Sequence, residues 1–308
     1  MSKDYYRPEG SWVALITPFT PDNKVDLDGY KKLIDFQAAN GTSTLLIMGS
    51  TGEPTLLSIE ERKTIIRELG PYCNGKIPVF FGVTMGSTEA TIDLARYAQD
   101  NGADGVVIVP PPYIAPPQNA VYEYLKAVCQ SIDIAVGFYN NPARVVVNID
   151  PETIVRIFNE CPNLVADKEA VPDVGQLASV LDGTGGRIRL LTCDSPAYAM
   201  IIPTLGMGGH GTANVTGNVA PREVAEMSKP WKCWDDVVRC RELYFELLPL
   251  MEAVYSAPNP VATKAMVRLL GLPAGYCRAP LPDVSPELRR AMEAVIERFD
   301  LKRKYGLA

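Results

Sequence analysis

The stretch LVADKEAVPD (residues 164–173) is an apolar run with three charged residues at its centre. It is one of eight short apolar runs, which occupy residues 12–19, 42–49, 77–83, 105–110, 134–140, 164–170, 188–194 and 211–216. Segments with the 3.6-residue period of an amphipathic helix separate these runs. Apolar strands that alternate with helices predict a parallel sheet whose outer face the helices cover. Eight such units predict an α/β fold of the (β/α)8 type, a TIM barrel.

Local signals mark where the helices between the runs begin. Ser58, followed by Glu61 three residues later, predicts a capping box. Proline at the first helical position predicts helices that begin directly after the caps Asp150 and Ser195. An open doubly wound sheet is the alternative architecture, but ITPFTPDN after the first run lacks the G-x-G-x-x-G turn that such sheets usually carry.

The C-terminal part of the chain has a different pattern. After about residue 220 the strand runs stop and helical segments follow, including DDVVRCRELYFELLPLMEAVY (235–255). No linker rich in glycine or serine separates them from the preceding units. We therefore expect a catalytic barrel in residues 1–222 and a C-terminal helical region in residues 223–308 that packs directly on it.

Composition limits the possible partners. The chain has 30 Lys and Arg against 36 Asp and Glu, a net charge of -6, which argues against a nucleic-acid partner. No run approaches the roughly 18 apolar residues needed to span a membrane, and MSKDYYRPEG is too polar to begin a secretory signal. Seven cysteines without a C-x-x-C pair favour reduced thiols. We expect a cytoplasmic protein whose partners are small molecules and copies of itself.

Lys168 is the residue that points to a reaction. Side chains alternate sides along a strand, so Lys168 shares a face with Ala166, while Asp167 and Glu169 share the other. Inside a barrel mouth the ammonium group is poorly hydrated, so the pKa of the lysine falls toward neutrality. The neutral amine can then attack a ketone and form an imine. The alternative is a lysine whose stem packs in the core and whose ammonium group pairs with Asp167 or Glu169.

Three other strand ends carry polar or aromatic groups. GSTGE (49–53) follows the second run, PPPY (110–113) ends the fourth, and FYNNPAR (138–144) ends the fifth. Active sites of TIM barrels lie at the carboxyl ends of the strands. We therefore expect these side chains to meet Lys168 at one face of the barrel.

Five stretches, in order and over nearly the whole chain, together resemble the dihydrodipicolinate synthase and N-acetylneuraminate lyase family of class I pyruvate-dependent aldolases. They are GSTGE, YNNPAR, ADKEA, GGHGTANVTGNVAPREV and APNPVATKA. The resemblance implies a lyase that binds pyruvate as a lysine imine (a Schiff base), with no metal or other cofactor. It also implies a homotetramer built as a dimer of dimers. The resemblance is closest to the branch that condenses pyruvate with L-aspartate 4-semialdehyde in lysine biosynthesis.

The resemblance further implies roles for individual residues. Lys168 would form the imine, and Tyr139 would move protons beside it. The Ser50 hydroxyl would connect Tyr139 to Tyr113, which reaches in from the neighbouring subunit. Arg144 would bind the carboxylate of the semialdehyde, since a planar guanidinium suits a carboxylate. The residues implied in substrate binding are Thr51, which would hold the pyruvate carboxylate, together with Gly52, Arg144 and Ala213.

Departures from the family pattern leave the second substrate open. Ser50 stands where threonine is more common in the synthase branch, and Asp167 stands where the residue before the lysine is usually apolar. The alternative is an aldolase or dehydratase for a 2-keto-3-deoxy sugar acid that uses the same imine. Lysine-inhibited members carry polar side chains at positions that hold Pro54, Ile59 and Gly86 here, so we expect weak or absent inhibition by lysine.

Two other classes of function fit the sequence less well. A metal-dependent aldolase usually draws on several histidines, and the chain has only His210, which is more typical of a polar network. A non-catalytic barrel is conceivable, because a fold does not imply an activity. Such a barrel would not require Lys168, Tyr139, Ser50 and Tyr113 together.

Overall fold

The structure, a computed structural model, describes residues 4–307, so residues 1–3 of the expected barrel and residue 308 of the expected helical region lie outside it. Eight parallel strands close into a barrel in which each strand pairs with the next and the last pairs with the first. The predicted TIM barrel is confirmed. The strands are β1 (Gly10–Ala14), β2 (Thr44–Ile47), β3 (Val79–Gly82), β4 (Gly105–Ile108), β5 (Ala135–Asn140), β6 (Leu164–Glu169), β7 (Arg189–Thr192) and β8 (Gly211–Asn214).

Helices follow the strands and cover the barrel. Those of the barrel are α1 (Leu27–Ala39), α2 (Ile59–Cys73), α3 (Thr88–Asp100), α4 (Gln118–Ser131), the short α5 (Pro142–Val145), α6 (Pro151–Glu160), α7 (Val174–Thr184), α8 (Ile201–Gly206) and α9 (Pro221–Met227). The C-terminal helices are α10 (Trp234–Val254), α11 (Val261–Leu269), α12 (Pro286–Arg298) and α13 (Leu301–Tyr305). One apolar cluster fills the inside of the barrel, and a larger one lies between the strands and the helices.

Two of the three predicted helix starts agree with the structure. The Ser58 hydroxyl accepts from the Glu61 N–H at 3.2 Å, and the Glu61 carboxylate accepts from the Ser58 N–H at 2.8 Å, which completes the capping box of α2. Helix α6 follows Asp150 as predicted. The helix predicted after Ser195 is wrong, because residues 196–198 form a turn and α8 begins only after Ala199. Ala199 has φ +51°, a left-handed conformation that an α-helix does not contain.

The first apolar run is longer than the strand that it contains. It was expected over residues 12–19, but β1 ends at Ala14. Leu15, Ile16 and Phe19 remain buried in the outer cluster after the chain leaves the sheet. Hydrophobicity reports burial, whereas a strand also needs ladder hydrogen bonds, and Pro18 has no N–H to donate.

A bulge lies where β5 pairs with β6. Val136 is opposite Leu164, whereas the next residue, Gly137, is opposite Ala166. Val165 is therefore one extra residue in β6. Val165 and Ala166 both pack in the cluster inside the barrel, although neighbouring strand residues normally face opposite sides.

Regular alternation resumes beyond the bulge. Asp167 is opposite Phe138, which packs in the outer cluster, and Lys168 is opposite Tyr139, which packs inside the barrel. The inward direction of Lys168 and the outward direction of its charged neighbours thus agree with the sequence prediction.

The C-terminal helices pack on the barrel directly. Helix α9 packs on β1 and runs across residue 222, where the sequence pattern suggested a boundary. Helix α10 contacts α8 and α9, and α11 contacts the short turn Thr216–Asn218 that follows β8. The C-terminal region is thereby held against the carboxyl ends of the strands.

Candidate active site

A cavity of about 530 Å³ opens where β2, β5, β6, β7 and β8 end. The C-terminal region closes one side of it with residues 255–259. The predicted site residues that line the cavity are Lys168, Tyr139, Ser50, Thr51, Arg144 and Ala213, whereas Tyr113 and Gly52 do not line it. The structure therefore brings together six predicted residues from four separate segments of the chain.

Lys168 extends into this cavity from β6 and is only 3% exposed. Its Nζ donates to the Ala213 carbonyl at 3.3 Å and lies 4.6 Å from the centre of the Tyr139 ring. Within residues 4–307 no carboxylate forms an ion pair with it. Burial lowers the pKa of Lys168 to about 8, which the charge of Asp194 partly opposes. About a tenth of the amine is therefore neutral at pH 7, far more than for a lysine with the ordinary pKa of 10.5.

The two carboxyl groups beside Lys168 face the helical layer. Glu169 accepts hydrogen bonds from the backbone N–H groups of Ala170 and Val171, both at 2.8 Å, and from the side chains of Asn140 and Gln176. Asp167 is fully buried, and neither of its oxygens has a hydrogen-bond partner among the described residues. Burial raises the pKa of both carboxyl groups, and the charge of Glu169 raises that of Asp167 further.

Tyr139 lies opposite Lys168 on β5 and is fixed by a residue that sequence reasoning did not single out. Asn141 Nδ2 donates to the Tyr139 phenol oxygen at 2.5 Å. Burial raises the pKa of Tyr139, and the hydrogen bond from Asn141 acts in the opposite sense. The Ser50 hydroxyl lines the same cavity, but within the described chain it makes no hydrogen bond to Tyr139 or to Tyr113.

The turn after β2 forms another wall of the cavity. Residues 50–52 make one turn of 3-10 helix, and the Gly52 N–H bonds back to the Gly49 carbonyl at 2.8 Å. The backbone N–H groups of Ser50 and Thr51 have no acceptor among residues 4–307, so they are available to a ligand. Gly52 lies behind the turn, where its carbonyl accepts from the Thr17 hydroxyl at 2.6 Å.

A buried ion pair holds this turn from the C-terminal side. Glu53 follows the turn in a left-handed conformation, φ +54°, and its carboxylate accepts from Lys264 Nζ at 2.9 Å. It also accepts from the Arg278 N–H at 2.9 Å. The side chains of both partners are almost fully buried, 0% exposed for Lys264 and 1% for Glu53. Two residues before Glu53, Thr51 Oγ1 accepts from Asn259 Nδ2 at 3.0 Å.

Arg144 and Tyr113 lie at the rim. Arg144 is on α5, exposed, and donates to the Asn259 carbonyl at 3.3 Å. Its guanidinium forms no ion pair with a carboxylate of the described chain, so it can receive an anion. Tyr113 follows β4 and is 92% exposed, away from the cavity of its own chain.

Residues 4–307 contain no group of three or more His, Cys, Asp or Glu side chains that could hold a metal ion. His210 Nδ1 accepts from the Leu190 N–H at 3.2 Å, before β8, and burial lowers its pKa to about 4. None of the helices within residues 4–307 is both long and apolar enough to cross a membrane.

Comparisons with known proteins agree on one family. The sequence profile of the Dihydrodipicolinate synthetase family matches residues 7–299. The chain belongs to this family. A relative from Methanocaldococcus jannaschii, named 4-hydroxy-tetrahydrodipicolinate synthase, is 33% identical over 293 residues, which are 95% of this chain and 99% of the relative.

Solved structures of the Dihydrodipicolinate synthetase family match the fold over the same length. Dihydrodipicolinate synthase from Aquifex aeolicus has a TM-score of 0.90 at 33% identity and covers 96% of this chain and 99% of its own. A monomeric dihydrodipicolinate synthase variant has a TM-score of 0.88 at 31% identity and covers 95% of this chain and 97% of its own. Because both matches extend over nearly the whole chain, they include the C-terminal helices.

Sequence reasoning did not single out two residues that line the cavity, Asn141 and Asn259, or two that support its walls, Lys264 and Asp194. Asn141 and Asn259 are in YNNPAR and APNPVATKA, and Lys264 is in the second of these. Asp194 accepts from the backbone N–H groups of residues 215 and 216 and from the Tyr255 hydroxyl at 2.6 Å. For Asn141, Asn259 and Lys264 the stretches were the available signal, because neither an amide orientation nor a contact between residues about 200 apart leaves a periodic pattern.

Proposed function

We propose that the chain condenses pyruvate with L-aspartate 4-semialdehyde through an imine on Lys168, the activity named 4-hydroxy-tetrahydrodipicolinate synthase in its relatives. One observation carries the proposal. Lys168 is buried in the cavity, its pKa is lowered to about 8, and no described carboxylate pairs with it. Membership of the Dihydrodipicolinate synthetase family, whose chemistry is that of class I aldolases, supports the same reaction.

The chemistry follows from the neutral amine. Lys168 Nζ attacks the ketone carbon of pyruvate, and loss of water leaves an iminium ion. The iminium withdraws electrons, so a proton leaves the pyruvate methyl carbon and an enamine forms. The enamine carbon then bonds to the aldehyde carbon of the second substrate. The negative charge of Asp194, close enough to raise the pKa of Lys168, favours the cationic iminium.

The neighbouring residues take the remaining roles in this proposal. Tyr139 moves protons to and from the imine, and the centre of its ring lies 4.6 Å from Lys168 Nζ. Thr51 and the unpaired N–H groups of the turn hold the pyruvate carboxylate, with Gly52 and Ala213 shaping the site. Arg144, which has no carboxylate partner within the described chain, binds the carboxylate of the semialdehyde.

Tyr113 enters the proposal through the assembly. We place it in the cavity of a neighbouring subunit, where Ser50 would link it to Tyr139, in a homotetramer made of two tight dimers. The 92% exposure of Tyr113 in its own chain supports this assignment. The reaction needs neither a metal nor an organic cofactor, and the seven free thiols suit a reducing cytoplasm. Residues 1–222 and 223–308 are proposed as the catalytic barrel and its helical region.

A coupled assay tests the proposal. Purified protein is mixed with pyruvate, L-aspartate 4-semialdehyde and excess dihydrodipicolinate reductase, and NADPH oxidation is followed. We expect turnover in the parent and, for Arg144→Ala, a rise of roughly tenfold to 100-fold in the KM for the semialdehyde, because a charge-assisted hydrogen bond is lost. Arg156→Ala, a surface change on α6, serves as the matched control and should leave both KM values unchanged.

The alternative function, an aldolase or dehydratase for a 2-keto-3-deoxy sugar acid, is tested with the same purified protein. No turnover from a chain that still yields a borohydride-trapped pyruvate adduct on Lys168 would move the second substrate to a 2-keto-3-deoxy sugar acid. Absence of the adduct would remove the imine mechanism for both substrates.

A further inference from the structure

Two asparagines stand in the same relation to two hydroxyl groups of the cavity. Asn141 Nδ2 donates to the Tyr139 phenol oxygen at 2.5 Å, and Asn259 Nδ2 donates to Thr51 Oγ1 at 3.0 Å. All four residues line the cavity. Asn141 follows β5 of the barrel, while Asn259 belongs to the C-terminal region, so the two contacts arise independently.

Each amide fixes the direction in which its hydroxyl can donate. A hydroxyl has one hydrogen and two acceptor lone pairs. When its oxygen accepts from an amide N–H, its own hydrogen must point elsewhere. Neither hydroxyl has another hydrogen-bond partner in residues 4–307, so the hydrogens of Thr51 and Tyr139 remain available to a molecule in the cavity.

The opposite amide orientation would reverse the polarity of the site. An amide oxygen in the place of Nδ2 would take the hydroxyl hydrogen, and the hydroxyl would present only lone pairs to the cavity. A bound carboxylate would then meet an acceptor and be repelled. Among the described residues the observed orientation leaves Asn141 Oδ1 and Asn259 Oδ1 buried without a hydrogen-bond partner, a cost that favours a functional reason for the donor direction.

We propose that Asn141 and Asn259 are positioning residues that set the donor polarity of the cavity, Asn259 by aiming the Thr51 hydrogen at the pyruvate carboxylate and Asn141 by aiming the Tyr139 hydrogen at the imine. The proposal deepens the proposed function and rests on it. It assigns the pyruvate-binding step to a residue of the C-terminal region.

The two asparagines act on different steps. Asn259 acts through Thr51 on substrate binding, so its loss raises the KM for pyruvate and leaves kcat unchanged. Asn141 acts through Tyr139 on proton transfer, so its loss slows exchange of the pyruvate methyl protons and leaves the KM for pyruvate unchanged. Arg144 contacts the main-chain carbonyl of Asn259, which every side-chain substitution retains. The KM for the semialdehyde should therefore not change in Asn259 variants.

The experiment compares Asp and Leu at each position. Asn→Asp keeps the shape but replaces the donor by an acceptor, whereas Asn→Leu only removes it. For Asn259→Asp we expect the KM for pyruvate to rise about 100-fold, and for Asn259→Leu about tenfold. For position 141 we measure the rate at which the pyruvate methyl protons exchange in D2O, followed by NMR without any aldehyde. We expect Asn141→Asp to slow this exchange more than Asn141→Leu does.

Controls separate polarity from folding. Asn101→Asp makes the same chemical change at the end of α3, where the side chain donates to the Tyr97 carbonyl, and it should alter neither quantity. If an Asp or Leu variant does not fold by circular dichroism, Asn259→Ser or Asn141→Ser replaces it. Serine can still donate, so its effect should be smaller than that of the other variants.

Two results would overturn the inference. Equal effects of Asp and Leu, or a change of the semialdehyde KM together with the pyruvate KM in Asn259 variants, would assign these residues a general structural role. A parent protein that forms no borohydride-trapped pyruvate adduct would instead overturn the proposed function, and this inference would fall with it.

Discussion

Lys168 and Lys264 are both almost fully buried, 3% and 0% exposed, but they lie in regions with opposite electrostatics. Lys264 pairs with Glu53 at 2.9 Å where α11 meets the barrel, whereas Lys168 in the barrel cavity contacts a carbonyl and an aromatic ring. Burial lowers the pKa of both, and the Glu53 carboxylate opposes this effect for Lys264. Burial alone therefore does not make a lysine nucleophilic; burial without a paired carboxylate does.

The largest expected effect is on activity. Lys168→Met removes the proposed nucleophile, so turnover should fall by at least about 10⁴-fold and the borohydride-trapped adduct should disappear. The folded fraction of the Lys264→Met variant should still form the adduct on Lys168. Mass spectrometry of the reduced protein measures both. An adduct on Lys264 in the parent would contradict the comparison.

Lys168→Met should also stabilise the fold at pH 7. The pKa of Lys168 is lowered from 10.5 to about 8, so its charge costs the folded state up to about 3 kcal/mol. Between these two pKa values the unfolded chain binds more protons, so the stability of the parent rises with pH and the advantage of the variant disappears above pH 10.5. Urea unfolding at pH 7 and at higher pH measures this, and a less stable variant at pH 7 would sink the prediction.

The next effect is on the free energy of unfolding when the buried pair of Lys264 and Glu53 is broken. Lys264→Met leaves the Glu53 carboxylate buried without its cation, which should cost about 3–5 kcal/mol in urea unfolding. The double variant Glu53→Gln with Lys264→Met should recover part of the loss. Lys76→Met breaks the exposed pair with Asp35 and should cost less than about 1 kcal/mol. Equal losses from the buried and the exposed pair would remove the distinction.

A third test uses pH to sharpen the difference. The neutral fraction of Lys168 grows as pH rises through about 8, so the rate of imine trapping at low pyruvate should rise roughly tenfold per pH unit below 8 and level off above it. An ordinary lysine would not level off until pH 10.5. Stopped borohydride reduction between pH 6 and 10 gives the profile, and a rate that still rises tenfold per pH unit between pH 8 and 10 would contradict the prediction.

The smallest expected effect concerns lysine added to the solution. Pro54, Ile59 and Gly86 offer no polar side chain at positions where the family resemblance implies an inhibitor site. On the same helix as Ile59, Arg62 is a buried cation that donates to the carbonyls of Gly82 and Thr84 and forms no ion pair in the described chain. We expect no inhibition by lysine up to about 1 mM in the coupled assay, since like charges repel. Inhibition below that concentration would contradict the prediction.

The barrel and the direction of Lys168 could be predicted from sequence because both depend on periodic patterns. Apolar runs and helical segments repeat eight times, and counting by two from Ala166 places Lys168 inside. Asn141 and Asn259 could not be assigned in the same way, because an amide's orientation depends on contacts across the cavity. The turn after Ser195 was missed because a local proline signal was outweighed by the backbone at Ala199. The role of Tyr113 depends on an assembly that a single chain does not contain.

The bulge at Val165 decides whether odd- or even-numbered residues of β6 face the active site. Counted by strict alternation from Leu164, with Val165 kept but no bulge to absorb it, Asp167 would face the cavity and Lys168 the helices. A strand of the same length without the bulge would exchange a nucleophile for an acid, whereas deletion of Val165 itself would leave Lys168 facing the cavity. The function is thus encoded partly in whether a short count of residues is odd or even. Grafting ADKEA into another barrel would transfer the reactive amine only if the new strand preserved that parity.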